Sequence, residues 1–131
     1  MFKKVFLTLS LLMIVVMSAM SADRYYLATN YTMKTTGGDF KEWIQTEILV
    51  ALNPSTKRIV ISSQREQIID YVGFKEVTDS DATVLVSSAT DSDYKPIRVS
   101  FILVNDGGIL LMIEYNDYQY MYLLKDITDQ Y

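Results

Sequence analysis

Residues 97–125 read IRVSFILVNDGGILLMIEYNDYQYMYLLK. This stretch constrains the fold more than any other. Asp106-Gly107 is among the strongest hairpin signals a sequence carries, because both turn positions favour positive φ, and Asn116-Asp117 is a weaker version of the same turn. Two turns this tight, set between apolar runs, leave room only for three consecutive antiparallel strands. With two-residue turns, Val104 pairs with Ile109 and Ile102 with Leu111. Across the second turn, Leu111 pairs with Tyr122, Ile113 with Tyr120, and Tyr115 with Tyr118. Alternation then divides the side chains between two faces. Ile102, Val104, Ile109, Leu111, Ile113 and the four tyrosines share one face. Ile97, Val99, Phe101, Leu103, Leu110, Met112, Met121 and Leu123 share the other.

Both faces are apolar, so both must be covered or leave a patch that monomers rarely tolerate. The aliphatic face, with Phe101 and two methionines, is the expected core. Tyrosine suits a wetter place, where the ring is buried and the hydroxyl reaches water or a partner. Tyr115, Tyr118, Tyr120 and Tyr122 are therefore the candidate contact surface. Four roles fit them: half-buried structure, a homodimer seam, a surface for another protein or a glycan, and the lining of a small-ligand cavity.

Upstream, residues 43–63 form another hairpin signal. Pro54 presets φ in the turn 53–56, and Asn53 can bond its own backbone. The turn pairs Val50 with Ile59 and Ile48 with Ile61. Ile44, Ile48, Val50, Leu52, Ile59 and Ile61 then face one way, and Gln45, Glu47, Arg58 and Ser62 the other. Phe40, Trp43, Ile44, Ile48 and Ala51 also repeat at helical spacing behind a capping-box-like Asp39 and Glu42. The β-branched content favours a strand. Residues 66–77 and 82–90 add two more strands, and residues 24–34 supply an eighth. The expected fold is all-β: an antiparallel meander of six to eight strands forming a small barrel or sandwich.

The first 22 residues have the order of a cleaved secretory signal: Lys3 and Lys4, an apolar run, then small residues before Asp23. Residues 23–131 would then be a single exported domain, periplasmic or extracellular, with no membrane insertion after cleavage. Removing Lys3 and Lys4 makes the rest more acidic than the formal −4 of the whole chain. With no basic cluster, nucleic acid is not an expected partner. A small exported domain with no cysteine has no disulfide framework, which points to a bacterial source.

Chemistry is limited by the same inventory. The chain has no histidine and no cysteine, which removes Ser-His and Cys-His nucleophile pairs, imidazole or thiolate zinc sites, and haem held by either. The glycines form no phosphate loop. The sequence TDSD occurs at residues 78–81 and 90–93, but a strand between the two copies sets them at opposite ends. Neither has the ligand set of a calcium loop, so both read as solvated turns. No metal, cofactor or catalytic residue is assigned, and a carboxylate-dependent hydrolase remains only as an alternative.

Residues 43–69 and 113–122 together resemble small exported bacterial all-β proteins of unassigned function. In strand count and length the chain is also similar to up-and-down barrels of the lipocalin and avidin kind. The first resemblance implies no catalytic residue; the second implies a barrel carrying a small apolar ligand. The leading expectation is a non-catalytic domain acting by binding or self-association through its tyrosine face.

Overall fold

In the computed structural model, which describes residues 23–78 and 81–130, the chain is all-β. The proposed secretory signal lies outside the described residues. Nine strands follow in order: β1 Arg24–Thr35, β2 Ile44–Asn53, β3 Arg58–Ser62, β4 Gln67–Tyr71, β5 Lys75–Thr78, β6 Ala82–Thr90, β7 Pro96–Val104, β8 Ile109–Glu114 and β9 Tyr118–Asp126. They lie in the order β4-β3-β2-β1-β9-β8-β7-β6-β5, all antiparallel, and β4 also pairs with β6. Eight strands therefore close into a barrel and β5 is left over. Barrel, not sandwich, is the outcome. The helical alternative for residues 40–51 gives way to irregular chain over 40–43 and strand from Ile44, where Ile48, Val50 and Leu52 point inward at a period of two.

Closure rests on few bonds. Only Asp70↔Thr90 and Tyr71↔Ala89 pair across the seam. Side chains extend it at both ends. Ser92 sits where the next strand pair would fall, and its hydroxyl accepts from Ile68 N–H (3.0 Å) and donates to Ile68 C=O (3.3 Å). At the other end Val72 N–H donates to Ser88 C=O (2.9 Å), and the Ser87 hydroxyl, 3% exposed, accepts from Val72 N–H (3.2 Å) and Gly73 N–H (3.0 Å). The single strand expected over residues 66–77 is thus broken at 72–74. Beyond the break β5 follows β6 alone: β3 begins at Arg58, and the chain before it reaches β4 no further than Lys57 C=O, which accepts from Tyr71 N–H (3.0 Å).

Two registers differ from those the turns suggested. The β2–β3 turn is residues 54–57, with Lys57 at φ 55 and its N–H on Pro54 C=O. Val50 therefore pairs with Ile61 and Leu52 with Ile59. That two-residue shift preserves the faces, and Val50, Leu52, Ile59 and Ile61 are all buried, while Ile44 is half exposed. The β7–β8 loop has three residues, 105–107, with Gly107 at φ 96 and Val104 N–H bonded to Gly108 C=O. This gives Leu103↔Ile109 and Ile102↔Leu110, one residue from the expected pairing. A one-residue slip moves a whole strand to the other face.

The core assignment changes with it. Ile97, Val99, Phe101 and Leu103 point inward, but they do so beside Leu111, Ile113 and Tyr122, all buried. Leu110, Met112, Met121 and Leu123 alternate with those residues on the outer face, where they are half-buried. The tyrosine face is therefore the inside of the barrel. An eight-stranded barrel has an interior just wide enough for side chains to fill. Tyr26, Phe74 and Phe101 fill one end, with ring centroids 6.0 Å (Tyr26–Phe101) and 5.5 Å (Phe74–Phe101) apart.

Candidate functional site

The other end is the mouth. There the loops after β1, β3, β6 and β8 converge, and the inward residues change from aliphatic to tyrosine. The pairing of β8 with β9 matches the expectation: Leu111↔Tyr122 and Ile113↔Tyr120, with Tyr115 N–H on Tyr118 C=O (2.8 Å) across the turn. The neighbouring loop holds this turn in place: Thr36 N–H donates to Asp117 C=O (2.9 Å) and the Thr36 hydroxyl to Asn116 C=O (3.0 Å).

Three of the four predicted tyrosines form one cluster. Tyr115 and Tyr118 stack with centroids 4.5 Å apart, and Tyr120 stands edge-on to both, at 6.2 Å and 5.1 Å. All three are half-buried. Tyr122 lies deeper, 5% exposed, and belongs to the core.

Sequence reasoning missed Tyr31. Strict alternation from Tyr26 and Ala28 would turn it outward, but β1 carries an irregularity between Ala28 and Asn30 against both neighbours. The extra residue inverts the alternation, so Tyr31 pairs with Tyr122 and meets its ring at 6.3 Å. Bulges often re-aim a side chain beside a site. No sequence signal marks this one.

Two clefts open at the mouth. The larger, about 520 Å³, lies between Tyr31 and Tyr122 and is lined by Thr46, Glu47, Ser62 and Gln64 among others. The smaller, about 220 Å³, is bounded by Tyr115, Tyr118 and Tyr120 with Gln67, Asp91 and Lys95. Ser63 lines both. Small-molecule sites usually run to roughly 300–1,000 Å³, and barrel mouths are a preferred place for them.

Asp91 organises the small cleft. Its Oδ1 accepts from Asp93 N–H (2.9 Å) and Lys95 N–H (2.8 Å), which closes the β6–β7 turn. Its Oδ2 accepts from the Tyr115 hydroxyl at 2.8 Å. Burial alone would raise its pKa, but the bonds from Lys95, Tyr115 and Asp93 outweigh burial and hold the carboxyl below its ordinary range. The same contact works the other way on Tyr115: burial first, then the bond to Asp91, pushes the phenol well above its ordinary range. Burial likewise raises Tyr120, helped by Tyr118 beside it. It raises Tyr122 too, against a hydrogen bond with Gln67. These phenols stay neutral donors and acceptors at any physiological pH. The second TDSD copy is thus a turn, as its composition suggests, but a turn whose first carboxylate is fixed on a tyrosine at the mouth.

The three clustered rings do not form a cation cage. A cage for a quaternary ammonium needs ring faces turned on an empty centre. Here the three rings occupy each other's space and form a packed platform. Compared with protein-family models, with curated proteins and with solved structures, the chain finds no match.

Proposed function

We propose that this chain is a non-catalytic binding domain, acting outside the cytoplasm, whose ligand seat is the tyrosine-lined mouth of the barrel. The observation that carries this reading is the convergence of Tyr31, Tyr115, Tyr118, Tyr120 and Tyr122 on two adjoining clefts at one end of the barrel. Because these rings point inward, they would meet a ligand at the mouth more readily than a second sheet across a seam. The lining favours a polar ligand over an apolar one. Hydroxyls, carboxamides and carboxylates outnumber the lone aliphatic residue, Ile48, around the larger cleft. Tyrosine serves such a ligand in two ways, with an apolar face and a hydrogen-bonding tip. The leader-like first residues support the extracytoplasmic setting.

A thermal-shift screen of small neutral polar compounds tests this, run in parallel on the wild type and Tyr118→Ala. Binding to the folded state raises the midpoint by mass action. The expected result is a set of stabilising compounds whose effect is lost in the variant. Stabilisers that act equally on both proteins, or a screen with none, would contradict the proposal.

A further inference from the structure

The two clefts meet at Ser63, a residue of the β3–β4 connection that lines both. From this arrangement, and resting on the mouth as a ligand seat, we infer that the ligand is a neutral linear oligosaccharide lying across both clefts, with separate sugar residues over the Tyr115–Tyr118–Tyr120 platform and between Tyr31 and Tyr122.

Three features select this class. A pyranose ring presents an apolar, electropositive C–H face that lies favourably on the negative face of an aromatic ring, and a rim of hydroxyls that needs donors and acceptors. The mouth supplies both. Aromatic rings lie in each cleft, with Thr46, Ser62, Gln64 and Ser92 among the polar side chains around them. Charge comes second. Glu47 stands at the larger cleft, and Glu66, Asp91 and Asp93 outnumber Arg65 and Lys95 at the smaller. Phosphorylated, sulfated or uronic ligands would meet net repulsion there. Shape comes third. Two adjoining clefts of unequal size fit a chain of repeating units better than one compact molecule.

Linked subsites predict affinity that grows with ligand length, because the second contact forms intramolecularly once the first is made. Isothermal titration would use α-1,4-glucose, β-1,4-glucose and β-1,4-N-acetylglucosamine oligomers, each from monomer to hexamer. At least one series should gain about tenfold or more in affinity between monomer and tetramer. Tyr118→Ala should remove most of that gain. Ser63→Trp, at the junction, should weaken the tetramer by about tenfold and the monomer far less. Unfolding midpoints of both variants confirm that they are folded. Absence of binding by every series, affinity independent of length, or tetramer binding untouched by Ser63→Trp would overturn the inference. If a compound that is not a carbohydrate binds the mouth tyrosines while every oligomer fails, the oligosaccharide is wrong and the ligand seat stands.

Discussion

Tyr122 and Tyr118 share a strand and a face but differ in depth, and that difference separates structure from contact. Tyr122 is 5% exposed among Leu111, Ile113 and Leu124. Its replacement by alanine should cost about 3–5 kcal/mol, as for other buried aromatics. Tyr118 is half-buried at the mouth, with most of its contact on Tyr115 and Tyr120. Tyr118→Ala should cost roughly 1–2 kcal/mol, the scale of lost ring pairs at a site that remains wet. Denaturant unfolding of the two variants reads both values. Ser87 is the other residue on which much depends. Its hydroxyl takes two backbone N–H groups where β4 leaves the seam, and donates to Ser88 C=O at 2.8 Å. Ser87→Ala removes the acceptor of Gly73 N–H, while Val72 N–H keeps Ser88 C=O at 2.9 Å, so about 1 kcal/mol should be lost. Hydrogen exchange should localise the loss to Gly73.

At the scale of elements, the turns decided which residues went inside. Gly107 at φ 96 allows a three-residue loop between β7 and β8. Gly107→Ala forces a side chain into a left-handed backbone and should cost about 1–2 kcal/mol. The same loop explains what could and could not be read from the sequence. Alternation and turn residues gave the strands, and Asn116-Asp117 gave the correct pairing of Tyr115 with Tyr118 and Ile113 with Tyr120. Asp106-Gly107 fits a two-residue and a three-residue loop equally well on composition. The two loops differ by one residue of register, so the tyrosine face, expected outside, lies inside, and Met112 and Met121 exchange places with it. Hydrophobicity could not arbitrate, since both faces are apolar. Tyr31 was hidden for a related reason: the bulge that turns it inward depends on the partner strands and leaves no mark in the local sequence. Asp91 was legible as a turn residue, but its bond to Tyr115 joins two hairpins 24 residues apart.

For the molecule as a whole, the titratable groups define where the fold should be most stable. No histidine or cysteine is present, so no side chain with an ordinary pKa titrates through neutrality. Asp91 and Asp126 have carboxyls held below their usual range despite burial: Asp91 mainly by N–H and hydroxyl donors, and Asp126 by Thr128 and then Arg24. Their contribution is present above the unfolded-chain pKa of about 4 and disappears as pH falls through the lower folded value. Tyr26, Tyr71, Tyr115, Tyr120 and Tyr122 are all raised, with burial the largest cause in each. Their contribution is complete below the free-phenol pKa of about 10 and is lost as pH rises through the higher folded values, because the unfolded chain releases those protons first. Stability should therefore be nearly flat from about pH 5 to pH 9 and fall on both sides, which unfolding free energies across that range would show. What the barrel holds at its mouth is the central question, and ring-resolved NMR of protein labelled with ¹³C-tyrosine addresses it most directly. The probe is the compound that stabilises the wild type most strongly in the thermal-shift screen. Its addition should shift the ring signals of Tyr115, Tyr118 and Tyr120 and leave those of Tyr26 and Tyr71, at the far end of the barrel, in place. Signals at Tyr26 and Tyr71 moving while the mouth tyrosines stay still would contradict a ligand seat at the mouth.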